Sequence, residues 1–231
     1  MIRLLLPPLL VLTAFPAQAA DRTYSIGSFD RIRIEGPYEV KLTTGKAPGG
    51  RASGDDHALD ALVITVEGQT MIVRARVLAV GESPAPPKIP LVITLTTPDL
   101  RAANVNGGGR LVIAPMVNQR IDLSVNGAGG LSVQGIDADQ LNVTVIGAGT
   151  MTLAGRVGRA RYQLSGPGTI EATALIAKDL IGRSEGNGEV HVAARYTADV
   201  SSTGLGAITV AGKPACRVQS SGGGPILCQS K

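Results

Sequence analysis

Residues 121–133 read IDLSVNGAGGLSV, and residues 141–153 read LNVTVIGAGTMTL. In both stretches apolar residues alternate with polar ones up to a glycine pair, and the alternation resumes beyond it. Period-two alternation marks strands buried on one face only. The glycines mark a sharp corner between two such strands, where the chain often turns with positive φ beside an identical neighbour.

The unit recurs along most of the chain. A Gly-x-Gly begins at Gly107, Gly127, Gly147, Gly166, Gly186, Gly204 and Gly222, at spacings of 20, 20, 19, 20, 18 and 18 residues. Four residues after the first glycine stand Leu111, Leu131, Met151, Ile170, Val190, Ile208 and Ile226. Six before it stand Ile121, Leu141, Ala160, Leu180, Ala198 and Cys216, with Arg101 breaking the rule in the first copy. A period this short leaves no room for a helical crossover between parallel strands. Each repeat therefore closes one coil of two strands, and coils stack at about 4.8 Å. The expected fold is all-β: a single-stack parallel β-helix, or solenoid, of about seven 18–20-residue coils, some 34 Å long at that spacing.

One slot drifts. Two residues before the glycine, Val105, Val125, Val145 and Leu164 give way to Ser184, Ser202 and Ser220. Buried hydroxyls need partners, so either the coil narrows there or it encloses structured water.

Residues 21–100 are expected to form an N-terminal cap and the first coil, with the repeats in 101–231. Ile32 and Ile34 before Gly36, then Val40 and Leu42, follow the template once. Leu62 to Val73 then reads as a hairpin turning at Gly68-Gln69. Asp55-Asp56-His57 could suggest a metal site, but before a short helical stretch it reads as a helix cap. Ser83–Pro90, with four prolines, reads as a stiff loop, and Leu91–Thr96 as a strand. This cap would cover strand edges that a solenoid otherwise leaves open.

Arg3, the apolar run Leu4–Ala14 and Ala17-Gln18-Ala19 read as a secretory signal peptide over residues 1–20, leaving one domain over 21–231. The apolar run is too short to span a bilayer, and nothing later reads as a transmembrane helix. The formal charge of +4 includes Arg3 and has no Lys/Arg cluster behind it, which argues against nucleic acid as a partner. Without Trp and with few other rings, the core must be built from Val, Ile, Leu and Ala. Cys216 and Cys228 lie six before and six after Gly222, both on the inward parity. In an exported chain a disulfide there would staple a terminal coil that has no following neighbour; the alternative is two separate buried thiols. No cysteine or histidine has metal-ligand spacing, and no cofactor is expected.

The opening FDRIRIEGPYEVKLTTG, the block SGDDHALDALVITVEGQTMIVRA, the stretch LVITLTTPDLRAANVNGGG and the units NGAGGLSV, IGAGTMTL and SGPGTIEA resemble the DUF2807 family, also called the "putative autotransporter-adhesin head GIN domain". The closing VAGKPACRVQSSGGGPI resembles its last coil, so that the likeness runs over about residues 24–228. The resemblance implies a β-helical envelope or secreted protein without catalytic residues to carry over. At this length, without the large passenger and barrel of an autotransporter, export to the periplasm or by another secretion route is expected.

Three function classes remain. A binding module could use the outward ribbon Asn104, Ser124, Thr144, Gln163 and Ser201 to hydrogen-bond envelope polysaccharide, although the same ribbon also suits a merely solvated face. The scarcity of rings speaks against sugar stacking. A structural role would recruit another envelope protein along a coil face or by strand addition at a solenoid end. A polysaccharide-cleaving β-helix would need paired carboxylates, for which Glu171 and Glu189, with His191 and Arg183, are the one gathering of acid, base and cation; a surface charge pair is the plainer reading of them.

Overall fold

The computed structural model describes residues 20–76 and 91–229, so the expected leader, all but Ala20, and the proline-rich loop lie outside the described residues. Within them the solenoid is present. Ile121, Leu141, Ala160, Leu180, Ala198 and Cys216 are successive partners in one parallel ladder. So are Leu111, Leu131, Met151, Ile170, Val190, Ile208 and Ile226 in another. Equal spacing from the glycines thus translates directly into equal position in the stack. The turns number about six rather than seven. Seven corners bound six complete turns, and the last corner is followed by only three strand residues, Ile226–Cys228.

The N-terminal cap is β1 (Ala20–Tyr24), β2 (Arg31–Glu35), β3 (Glu39–Thr44), β4 (Gly49–Gly54), α1 (Asp56–Ala61), β5 (Leu62–Glu67), β6 (Thr70–Ala75) and β7 (Val92–Thr97). The repeats follow as β8 (Ala102–Asn106), β9 (Arg110–Ala114), β10 (Met116–Asn126), β11 (Gly130–Ile146), β12 (Thr150–Ser165), β13 (Thr169–Glu185) and β14 (Glu189–Ser202), closed by β15 (Ile208–Ala211), β16 (Ala215–Ser220) and β17 (Ile226–Cys228).

From β10 to β14 the strands run on round the corner opposite the glycines, so these coils have a third short face beyond the two strands expected. In β11 the inward residues Leu131 and Val133 are followed by exposed Gln134-Gly135, inward Ile136 and Ala138, exposed Asp139-Gln140, then inward Leu141, Val143 and Val145. Two successive exposed residues break the parity, and each break is a corner. All three faces turn aliphatic side chains into one core.

The cap contains the expected hairpin, β5–β6, which turns at Gly68-Gln69. Asp55 caps α1 by accepting the His57 N–H at 3.0 Å. One feature was not expected: β6 and β7 form a coil layer of their own, parallel to β2 and β3 and outside them. The template coil Arg31–Thr44 therefore lies second in the stack, between this layer and β8–β9. Antiparallel β5 on one face, and β4 with β1 on the other, cover the outer edges. Antiparallel strands end the parallel stack without offering it another coil to template.

In the serine slot, Ser184 and Ser202 are buried and Ser220, in the terminal coil, is exposed. Ser202 Oγ accepts the Gly204 N–H at 3.4 Å. Ser184 Oγ has no partner among the described residues. The adjacent inward slot, four before the glycine, holds Tyr162 directly beside Gly182. Tyr162, Gly182 and Ser184 line one small internal gap.

Cys216 and Cys228 are disulfide-bonded, joining β16 to β17 and resolving the pair of alternatives in favour of the staple. Closing so short a loop contributes roughly 2–3 kcal/mol. Cys216→Ala is expected to lose about that much, chiefly in the last coil. Amide exchange that speeds up in β15–β17 and leaves β10–β13 unchanged would confirm it; uniform loss across the rod would contradict it.

Candidate functional site

Counting back from each glycine builds a continuous polar surface. Three residues before it, Arg33, Asn104, Ser124, Thr144, Gln163, Arg183 and Ser201 are consecutive partners on the face that leads into the corner. The ribbon read from sequence is therefore continuous, and Arg33 and Arg183 belong to it. Five before the glycine, a second line runs Arg31, Ala102, Asp122, Asn142, Arg161, Ile181, Asp199 and Arg217. Neighbours within the lines are tied across strands. Asn104 Nδ2 donates to Ser124 Oγ at 2.5 Å, and Asn142 Nδ2 to Asp122 Oδ1 at 2.7 Å.

Two grooves open along these lines. One, of about 300 Å³, is lined by Arg31, Arg33, Asn104, Asp122, Asn142 and Thr144 among others. The other, of about 540 Å³, lies toward the last coil where the face meets the short third face; Arg159, Asp179, Ile181, Thr197, Asp199 and Arg217 line it. Thr197 Oγ1 donates to Asp179 Oδ1 at 2.6 Å.

The four candidate residues for chemistry are split between two faces. Glu171 and His191 are register partners on β13 and β14, past the corner. Glu171 Oε1 accepts the Thr173 hydroxyl at 2.5 Å in a shallow groove of about 220 Å³. Glu189 stands beside Thr169 in register and meets His191 Nε2 at 3.4 Å. Arg183 lies before the corner, on the ribbon, with its Nε on Glu185 Oε1 at 2.9 Å. Each acid thus has its own local partner, and the cation faces elsewhere. Among the described residues no group of three or more His, Cys, Asp or Glu is placed to hold a metal, and no helix is long and apolar enough to cross a membrane.

Rings are scarce outside the core. Tyr162 is buried, and burial pushes its phenol pKa well above the ordinary range. Tyr196 is half exposed, but the Arg195 guanidinium sits 5.4 Å from its ring centroid. Sequence reading passed over the five-before-glycine line and its two grooves, although the line shares the spacing of the ribbon and could have been found by the same count.

The family model described as "Putative auto-transporter adhesin, head GIN domain" matches residues 28–214. The chain belongs to the DUF2807 family. The match ends at Pro214, short of the expected 228, so the coil carrying the disulfide lies beyond the matched DUF2807 residues. Solved structures share the fold. A "putative adhesin" from Bacteroides fragilis superposes with a TM-score of 0.84 at 24% identity, covering 92% of this chain and 98% of its own. A "putative lipid binding protein" from Parabacteroides distasonis gives 0.75 at 22% identity, covering 92% and 97%. A second P. distasonis protein, also a "putative adhesin", gives 0.71 at 18% identity over 91% and 97%. No match was found among curated proteins.

Proposed function

We propose that this DUF2807 chain is a non-enzymatic binding module, exported to the periplasm or cell surface, that holds an envelope polysaccharide along the ribboned face. The observation that carries the reading is the in-register ladder Asn104–Ser124–Thr144–Gln163, closed by Arg33 and Arg183. A regular row of hydroxyl and amide groups on a rigid β face offers one donor–acceptor set per coil, and a polymer with a regular repeat can meet several sets at once. The adhesin names within the family and among the fold neighbours support a binding role. The leader-like residues 1–20 support export. Glu171 and Glu189, each engaged locally, favour binding over cleavage.

A protein partner is the second reading, since β16 and β17 end the stack with open edges. Those edges are short, preceded by Pro214 and Pro225 and tied by the disulfide, which is how natural sheets discourage strand addition. The glycan reading is therefore preferred.

Sedimentation of residues 21–231 with peptidoglycan and a panel of insoluble polysaccharides, at low and high salt, tests it. Retention that a soluble sugar competes away is expected. No retention on any polymer would sink the glycan reading, and release of reducing ends during the incubation would sink the non-enzymatic one.

A further inference from the structure

The two grooves share one line of residues. Asn142 lines the first groove and Ile181 the second, and in register only Arg161 stands between them. A ligand that fills both must therefore pass over Arg161. Arg31 and Arg161 are four strand spacings apart, about 19 Å at 4.8 Å each. No single sugar covers that distance, so a ligand of both grooves would be a chain that runs parallel to the rod axis.

The charges along this path are unequal. The two groove linings and Arg161 together present five guanidiniums, Arg31, Arg33, Arg159, Arg161 and Arg217, against three carboxylates, Asp122, Asp179 and Asp199. The carboxylates are already answered. Asp122 accepts from Asn142 and Arg120, Asp179 from Thr197, and Asp199 pairs with Arg217 at 3.9 Å. Three of the guanidiniums are paired at the same range: Arg31, Arg33 and Arg217 lie 3.8–3.9 Å from Asp30, Glu35 and Asp199. The other two are uncommitted. Arg159 and Arg161, both exposed, have no carboxylate within bridging distance among the described residues. The spare capacity of the face is thus made of forked cationic donors, which suit carboxylate or phosphate oxygens. Without open rings along the path, charge and hydrogen bonds must carry recognition in place of stacking.

We infer that the occupant is an anionic polysaccharide, bearing uronate or phosphate groups, laid along the five-before-glycine line with Arg161 binding its charge between the grooves. This rests on the glycan-binding reading above and narrows it.

The test measures binding of residues 21–231 to soluble polygalacturonate, to a phosphorylated mannan and to neutral dextran by titration calorimetry. One or both acidic polymers are expected to bind and dextran to bind far more weakly. Arg161→Ala should weaken the acidic polymer roughly tenfold, the scale of one charge-assisted hydrogen-bond pair. Arg161→Lys should restore part of the loss. Arg156→Ala removes the same charge from the third face, where Arg156 pairs with Asp137 at 2.6 Å, and should change nothing. Equal binding of dextran, with no effect of Arg161→Ala, would overturn the anionic inference and leave glycan binding standing. Binding of none of the three, together with no retention on the insoluble panel, would overturn both. Equal loss in Arg156→Ala and Arg161→Ala would overturn the site.

Discussion

Gly129→Val is expected to destabilise the rod by more than about 3 kcal/mol, beyond the usual range for overpacking, because the obstacle is backbone on a neighbouring coil. A Cβ on Gly129 would lie 2.6 Å from the Gly109 carbonyl oxygen, 2.9 Å from Val105 Cγ1 and 3.0 Å from the Gly107 carbonyl oxygen. None of these is the free end of a flexible side chain. Relief requires the coils to separate, and separation breaks the ladder bonds on either side of the corner. Gly129 is not among the positive-φ glycines, so the effect isolates close approach from backbone conformation. Gly127, at φ +114 with a Cβ 2.9 Å from the Gly107 carbonyl oxygen, would combine the two. Gly108 provides the control: a Cβ there meets nothing within 4 Å, and Gly108→Ala should stay within roughly 0.5 kcal/mol of the parent. Urea midpoints for the two variants decide it. Equal midpoints would mean that the corners are looser than the stacked backbone implies.

The same corner explains how much of the fold was legible in the sequence. A coil repeats by translation, so residues equidistant from successive glycines become neighbours whatever their identity. That rule placed Ile121 beside Leu141, Leu111 beside Leu131, and Glu171 beside His191. The third face escaped because it carries only one or two inward residues in a coil, Met116 or Val157 alone, or Ile136 with Ala138, between corners that no glycine pair marks. The outer layer β6–β7 escaped for another reason. Its pairing with β2–β3 joins segments whose chain order runs against their stacking order, and nothing local in Met71–Val73 or Ile93–Leu95 reports which coil lies beneath.

The binding face divides along the same lines. Its ribbon follows from the glycine count, and so does the line through Arg161. The grooves between lines do not, because their depth depends on where each coil turns at its unmarked corners. Register shifts between Thr152 and Gly155, and between Ala172 and Ile176, change those turns from coil to coil. Arg183 shows the limit from the other side. Adjacency in sequence grouped it with Glu189 and His191, while the intervening glycine corner sends its side chain to a different face. In a solenoid, distance along the stack follows the slot number, and direction follows which corner has been passed.

Tyr162 tests whether the core is filled by matching sizes between coils. It occupies the inward slot held by Leu123 and Val143 in the preceding coils, and its partner in the next is Gly182. The ring and Gly182 line one small gap together with Ser184. Tyr162→Ala would leave a hole the size of a ring beside a residue that cannot fill it, and should destabilise by about 3–5 kcal/mol. Tyr162→Phe should behave in the opposite way. The Tyr162 hydroxyl is buried with no hydrogen-bond partner among the described residues, so its removal deletes an unanswered desolvation cost, and stability should hold or rise by up to about 1 kcal/mol. Gly182→Ala should stay close to neutral in both the parent chain and the Tyr162→Ala background, because a Cβ on Gly182 would meet only Leu180 Cδ2 and the Val200 methyls, at 3.7–3.8 Å. Denaturant midpoints for the three variants and the double variant close the cycle. If Tyr162→Phe cost as much as a lost buried hydrogen bond, the hydroxyl would have a partner. If Gly182→Ala cost as much as overpacking in the parent chain and nothing in the Tyr162→Ala background, the ring would occupy the space beside Gly182 and the two would be coupled.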